Sequence, residues 1–270
     1  MNFAVSNIGL TAFLHDKELG QLSELGITGV EVAPSRVWKN TWDELKSSDV
    51  KKYRKTIESA GLRVIGLHSL FYDQPELGLF KSSKIRTKSL QFLSHLSAVC
   101  RDLGGKTLIY GGGRKRGEIS ENDAITETIN FFGELTSKTE NHLTCFCIEP
   151  LGPKTSDFIN SALDSLAIVN AVNNPGLRIQ LDAKALFENN EANIDIFNAV
   201  KEKLVHFHAN EPGLEVLGTS GFVNHMMMGK MLRAINYSNF ISIEQRLLNY
   251  SDPLKDIATS AKVLKKCYVG

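Results

Sequence analysis

The sequence predicts a closed (β/α)8 TIM barrel, an α/β fold, and three observations lead there. Eight strand-length apolar runs alternate with eight helix-length amphipathic segments along the 270 residues. The average unit is about 34 residues, close to the size of one β/α unit of such a barrel. No linker, low-complexity run or charge block interrupts the series, so a single domain spanning 1–270 is expected. Strict β-then-α order implies a parallel sheet with right-handed crossovers. An open doubly wound sheet is the rival topology. It usually carries a Gly-rich phosphate turn after its first strand, and Asn7-Ile8-Gly9-Leu10 is not one.

The elements follow in order. Strands are read at 2–6, 29–33, 63–68, 106–110, 144–149, 178–182, 204–208 and 240–244, each short, apolar and rich in β-branched or aromatic residues. Helices are read between them at 15–25, 50–60, 84–103, 122–135, 156–171, 194–201, 225–235 and 253–266. The first puts Leu19, Leu22 and Leu25 on one face, the second stops at Gly61, and the third stops at Gly104-Gly105. The seven prolines fall outside strand and helix interiors or in a helix's first turn.

Composition narrows the function. Lys and Arg number 31 against 30 Asp and Glu, a net charge of +1, which argues against a protein that grips nucleic acid by counterion release. No apolar run approaches the ~20 residues of a membrane helix, so no membrane partner is expected. The N-terminus lacks the basic start and apolar stretch of a secretory signal. Cys100, Cys145, Cys147 and Cys267 show no CxxC or zinc-knuckle spacing and read as reduced core thiols. A cytoplasmic protein acting on a small molecule is the expectation.

Strand parity then selects residues. Side chains alternate faces along a strand, and in a parallel barrel one face meets the helices while the other lines the interior. Val30 and Val32 oppose Gly29 and Glu31; Ile65 and Leu67 oppose Gly66 and His68. Phe146 and Ile148 oppose Cys145, Cys147 and Glu149; Ile179 and Leu181 oppose Arg178, Gln180 and Asp182. Val205 and Phe207 oppose His206 and His208; Ile241 and Ile243 oppose Ser242 and Glu244. The last inward residues are therefore Glu31, His68, Glu149, Asp182, His208 and Glu244, all at the C-terminal rim where barrel active sites are built. Four carboxylates and two imidazoles facing one another repel and desolvate unless a cation or ligand joins them.

Glu149, Asp182, His208 and Glu244, from four consecutive strands, form an O/O/N/O ligand set. Mainly oxygen donors favour Mn2+, Mg2+ or Co2+, with Zn2+ also admitted. Such an ion stabilises an enediolate beside a substrate carbonyl, and Glu149 and Glu244 suit an acid–base pair on either side of the reacting carbon. Substrate contacts are expected from His68, Glu31, Glu211, Lys184, Arg114 and Arg246. Arg114 follows Gly111-Gly112-Gly113, whose amides and neighbouring cations suit a phosphate or carboxylate as well as they suit a mobile loop. Trp38 and Trp42 are candidates to cap the mouth with Phe71 and Tyr72. His206, one layer deeper, reads as a core histidine.

Ile148-Glu149-Pro150, Leu181-Asp182, His206-Phe207-His208-Ala209-Asn210-Glu211-Pro212 and Ser242-Ile243-Glu244 resemble segments of the sugar phosphate isomerase/epimerase superfamily, nearly along the whole chain. That resemblance implies a xylose-isomerase-like TIM barrel and a divalent-metal-dependent isomerase or epimerase of a small sugar. It also implies the same four metal ligands, with the two glutamates as acid and base. Two departures stand out. Ala185 occupies the place where ketose 3-epimerases carry a substrate-binding His, and Thr155 the place of a second Glu, so a free ketohexose loses contacts. A dehydratase on the same scaffold and a sugar-binding barrel without turnover are the alternatives. A DNA-repair nuclease of the endonuclease IV type also resembles this barrel, but only His68 and His208 reach the rim. A homodimer or homotetramer is the assembly to look for.

Overall fold

A computed structural model describes residues 1–269. The strands are β1 (Asn2–Ser6), β2 (Gly29–Val32), β3 (Arg63–Leu67), β4 (Thr107–Tyr110), β5 (Cys145–Ile148), β6 (Leu177–Asp182), β7 (Leu204–Ala209) and β8 (Phe240–Ile243). They are parallel and close in sequence order, β8 pairing back onto β1 through Phe3↔Ile241 and Ala4↔Ser242. Each lies within one residue of the span expected at either end. The alternation of strand and helix signals therefore carries the topology, because closure in order needs only that each crossover return to the neighbouring strand.

The helices are α1 (Asp16–Leu22), α2 (Ser47–Ser59), α3 (Ser83–Leu103), α4 (Glu121–Lys138), α5 (Ala162–Val172), α6 (Ala183–Glu188), α7 (Ile194–Val200), α8 (His225–Ala234) and α9 (Pro253–Tyr268). Two depart from expectation by more than three residues. The fifth was expected from residue 156 but starts at Ala162, where Ser161 and Asp164 form a reciprocal capping box. The segment 151–161 before it is irregular, which leaves Ser156 and Asp157 free to bind loop backbone. The short α6 was not expected; it begins where Asp182 caps it by accepting from the Ala185 amide at 2.7 Å. Among the described residues, no helix is long and apolar enough to cross a membrane.

Large apolar side chains of the strands meet those of the helices in one shell. Val30, Val32, Phe146, Ile148, Ile179, Leu181, Phe207, Ile241 and Ile243 are all buried there with Leu93, Phe131, Phe132, Phe197 and Leu264. At roughly 1.5–3 kcal/mol per fully buried large side chain, this shell is where the barrel's stability resides. It frees the barrel axis for polar residues.

Candidate metal centre and active site

His68, Glu149, Asp182, His208 and Glu244 gather at the C-terminal mouth, and Glu31 of β2 stops behind them. The β6–β7 register sets Asp182 opposite His208, and β7–β8 sets His208 opposite Ser242, one pleat below Glu244. One donor atom from each of Glu149, Asp182, His208 and Glu244 lies within 4.8 Å of the others. That spacing suits simultaneous bonds of 2.0–2.6 Å to one divalent ion. Gly111 makes room: a Cβ there would overlap Glu149 Oε2.

The imidazole of His208 shows which atom faces the cluster. Its Nε2 lies 2.9 Å from Glu31 Oε2 and 3.1 Å from Oε1, so the Nε2–H is donated to that carboxylate. Nδ1 is then turned toward the mouth, 3.4 Å from Glu244 Oε2 and 3.7 Å from Glu149 Oε1, buried and without a hydrogen bond of its own. A buried nitrogen aimed at two carboxylates calls for a cation, either a proton or a metal. Burial alone would lower the His208 pKa, but the charges of Glu31 and Glu244 outweigh it and lift it well above the ordinary value. Burial, reinforced by Glu149 and Glu244, pushes Asp182 up to about 7. Glu244 is moved the other way: burial raises it, yet His208 and His68 prevail and hold it well below the usual carboxylate range. Crowded carboxylates of such divergent acidity fit a site completed by a divalent ion.

Two further residues build this centre. His68 donates or accepts at Ser6 Oγ through Nε2 at 2.6 Å and places Nδ1 3.6 Å from Glu244 Oε1. Asn210, buried, donates its amide to Asp182 and to Glu244 (2.8 Å to the latter) while its carbonyl accepts from the Lys184 backbone N–H at 3.0 Å. Asn210 is a site residue that the sequence reading does not name: it stands one residue past the end of β7.

Several expected substrate contacts lie elsewhere. Glu31 is 0% exposed and sits behind His208, with His206 Nε2 3.1 Å from its Oε1, so it braces that imidazole and is not open to the mouth. Burial alone would raise Glu31, but the neighbouring imidazoles hold it well below its ordinary value. Glu211, also 0% exposed, turns away to accept from His225 Nε2 (3.0 Å), the Gly218 amide and Ser220 Oγ, pinning the loop after β7. Arg114 is no anion-binding loop residue. Its guanidinium is buried and donates to five backbone carbonyls, those of Tyr110, Gly111, Glu149, Phe158 and Ile159. Arg246 is exposed and pairs with Glu215 at 2.7 Å. Lys184 stays beside the cluster, half-buried; burial would lower its ammonium pKa, but Asp182, Glu188 and Glu244 raise it. Trp38 packs on Tyr53 and Trp42 on Phe92, leaving Phe71 and Tyr72 on the mouth.

A cavity of 440 Å3 opens from Glu149, His208 and Glu244 toward the loop after β3. The arrangement can hold a cation at one end of a pocket and present two carboxylates to whatever binds it.

The chain aligns along nearly its full length with solved structures. A D-psicose 3-epimerase from Clostridium cellulolyticum H10 shares 14% identity over 99% of both chains, with a TM-score of 0.84. A 3-keto-D-glucoside 4-epimerase from E. coli shares 16% over 99% of this chain and 100% of that one, at 0.83. A probable 3-DHS dehydratase from Bacillus anthracis shares 14% over 98% and 99%, at 0.74. At such identities the likeness is one of fold. No curated protein matches the sequence. The family model described as "Xylose isomerase-like TIM barrel" matches residues 19–267, and with the closed eight-stranded barrel this shows that the chain belongs to the xylose isomerase-like TIM barrel family.

Proposed function

We propose that the protein is a divalent-metal-dependent isomerase or epimerase of a small sugar, transferring a proton at a carbon next to a carbonyl. One observation carries the reading: four donor atoms from β5 to β8 converge within 4.8 Å at the mouth, and one of them, His208 Nδ1, is buried without a partner. Sugar epimerases among the similar structures support it.

Glu149, Asp182, His208 and Glu244 would hold the ion, and their O/O/N/O chemistry suits Mn2+, Mg2+ or Co2+. When bound, it would draw electron density from the substrate's carbonyl and so acidify the neighbouring C–H. Glu149 and Glu244, which both line the pocket, then divide the proton work: Glu149 removes a proton and Glu244 returns one. His68, braced by Ser6, steadies Glu244 for that exchange. Asn210 holds Asp182 and Glu244 at a fixed separation, and Lys184 offers an ammonium at the rim.

The test is solvent-deuterium wash-in to a panel of ketoses by NMR, with Mn2+ present. Glu149→Gln and Glu244→Gln should each stop exchange while leaving the circular dichroism unchanged. Continued exchange in both variants would overturn the assignment. The dehydratase-like structure favours a second outcome from the same site, expulsion of a β-hydroxyl, and mass spectrometry of the products would reveal it as loss of water.

A further inference from the structure

The cavity beyond the four-ligand cluster has room for more than a single sugar ring, and its lining is one-sided. Its volume is 440 Å3. A hexose, at roughly half of a water's ~30 Å3 per carbon or oxygen atom, fills about 180 Å3. The acidic end is Glu149, His208 and Glu244; the far wall is Phe71, Tyr72 and Leu77 on the loop after β3. Phe71 is immobilised edge-on against Tyr110, ring centroids 5.7 Å apart at 87°, and tilted against Phe92 at 6.1 Å. Tyr72 leaves 77% of its surface open beside it.

Charge is as informative as size. No Lys or Arg lines this cavity, and the Lys184 ammonium belongs to its metal-cluster end, beside Asp182 and Glu244. Arg114, on the adjoining turn, engages all three guanidinium nitrogens with backbone carbonyls. A phosphate or carboxylate on the far wall would rest against aromatic carbon with no counter-charge. A flat, uncharged ring suits that wall, since aromatic faces bind the faces of other rings through dispersion and C–H contacts.

Building on the proton-transfer reading above, we propose that the substrate is an uncharged sugar of two rings. One unit reacts between Glu149 and Glu244, and the second, joined by a glycosidic bond, lies on Phe71 and Tyr72. A glycosidic bond at the anomeric carbon masks that carbonyl, so the reacting unit keeps its own free keto group, as a ring ketone or as the reducing end of a keto-disaccharide. Only a proton moves, and no second reactant is consumed.

The probes are D-fructose, D-fructose 6-phosphate and two keto-disaccharides, lactulose and isomaltulose, titrated into the Mn2+-loaded protein by calorimetry. At least one disaccharide should bind about tenfold more tightly than D-fructose, and the phosphate ester more weakly than D-fructose. Tyr72→Ala, at an exposed position that folding does not require, should bring the disaccharide-to-fructose affinity ratio close to one. The proposal is overturned if the phosphate ester binds best, if neither disaccharide outbinds D-fructose, or if the ratio survives Tyr72→Ala. Deuterium wash-in on the same sugars separates the two readings. Disaccharide preference without exchange sinks the proton-transfer chemistry alone, whereas exchange with equal affinity for D-fructose sinks the two-ring substrate alone.

Discussion

Replacing Glu31 with Leu removes a carboxylate that never touches the pocket, and the structure says what that should cost. Glu31 is wholly buried, and its two oxygens take the Nε2–H of His208 at 2.9–3.1 Å while facing His206 Nε2 at 3.1 Å. It directs the His208 proton to Nε2, which leaves Nδ1 for the proposed metal, and its charge would make the imidazole a better donor. Losing such support weakens metal binding by about 10–100-fold, which is about 1.4–2.7 kcal/mol. In the metal-free protein the same change takes away the carboxylate that accepts from His208 Nε2 and leaves the imidazolium to Glu244 and Glu149 on its other side, so folding stability should fall by up to about 3–5 kcal/mol. Glu31→Gln, which keeps a neutral acceptor, should fall between wild type and Leu in both respects. Mn2+ titration followed by EPR measures the first effect, and urea unfolding with a chelator present measures the second. Unchanged Mn2+ affinity in Glu31→Leu would refute the assigned role, whatever happened to stability.

Two other outcomes are expected. Arg114→Met should destabilise the protein by about 3–5 kcal/mol in urea unfolding, because five carbonyls lose a buried charged donor at once, and Mn2+ binding should weaken with it since one of those carbonyls belongs to Glu149. His15 and His225 are buried and hydrogen-bonded to Tyr53 and Tyr268 respectively, and desolvation lowers both pKa values below 6.5 despite neighbouring carboxylates. The unfolded chain therefore binds protons that the folded chain resists. Their contribution to stability is complete above about pH 6.5 and is lost as pH falls toward the lowered folded values. Urea midpoints should decline across that interval, and His225→Asn should flatten part of the slope.

What could be read along the chain follows from local rules. A period of two within each strand separates the helix-facing residues from the axial ones, and the alternation of strands with helices assigns a C-terminal rim to all eight. Glu149, Asp182, His208 and Glu244 needed nothing more to be grouped. Asn210 escaped because it stands one residue past β7, where the strand rule no longer says which way a side chain points. The short helix α6 escaped because its stop signal, Asn189-Asn190, falls within two turns of its start and no apolar periodicity accumulates.

The amino-acid order alone thus settled the fold class and the strands, and it grouped the four residues whose donor atoms the structure brings within 4.8 Å of one another, since each depends on spacing between near neighbours. Only tertiary structure settled the roles of Glu31, Glu211 and Arg114. All three sit near the rim in sequence, yet Glu31 meets His208 across 177 residues, Arg114 reaches carbonyls 44 and 45 residues on, and Glu211 turns to a helix 14 residues later. Which of two equally charged side chains faces solvent and which is buried among partners is decided by the groups that barrel closure brings opposite them. Those groups are remote in the chain, and no local pattern encodes their arrival.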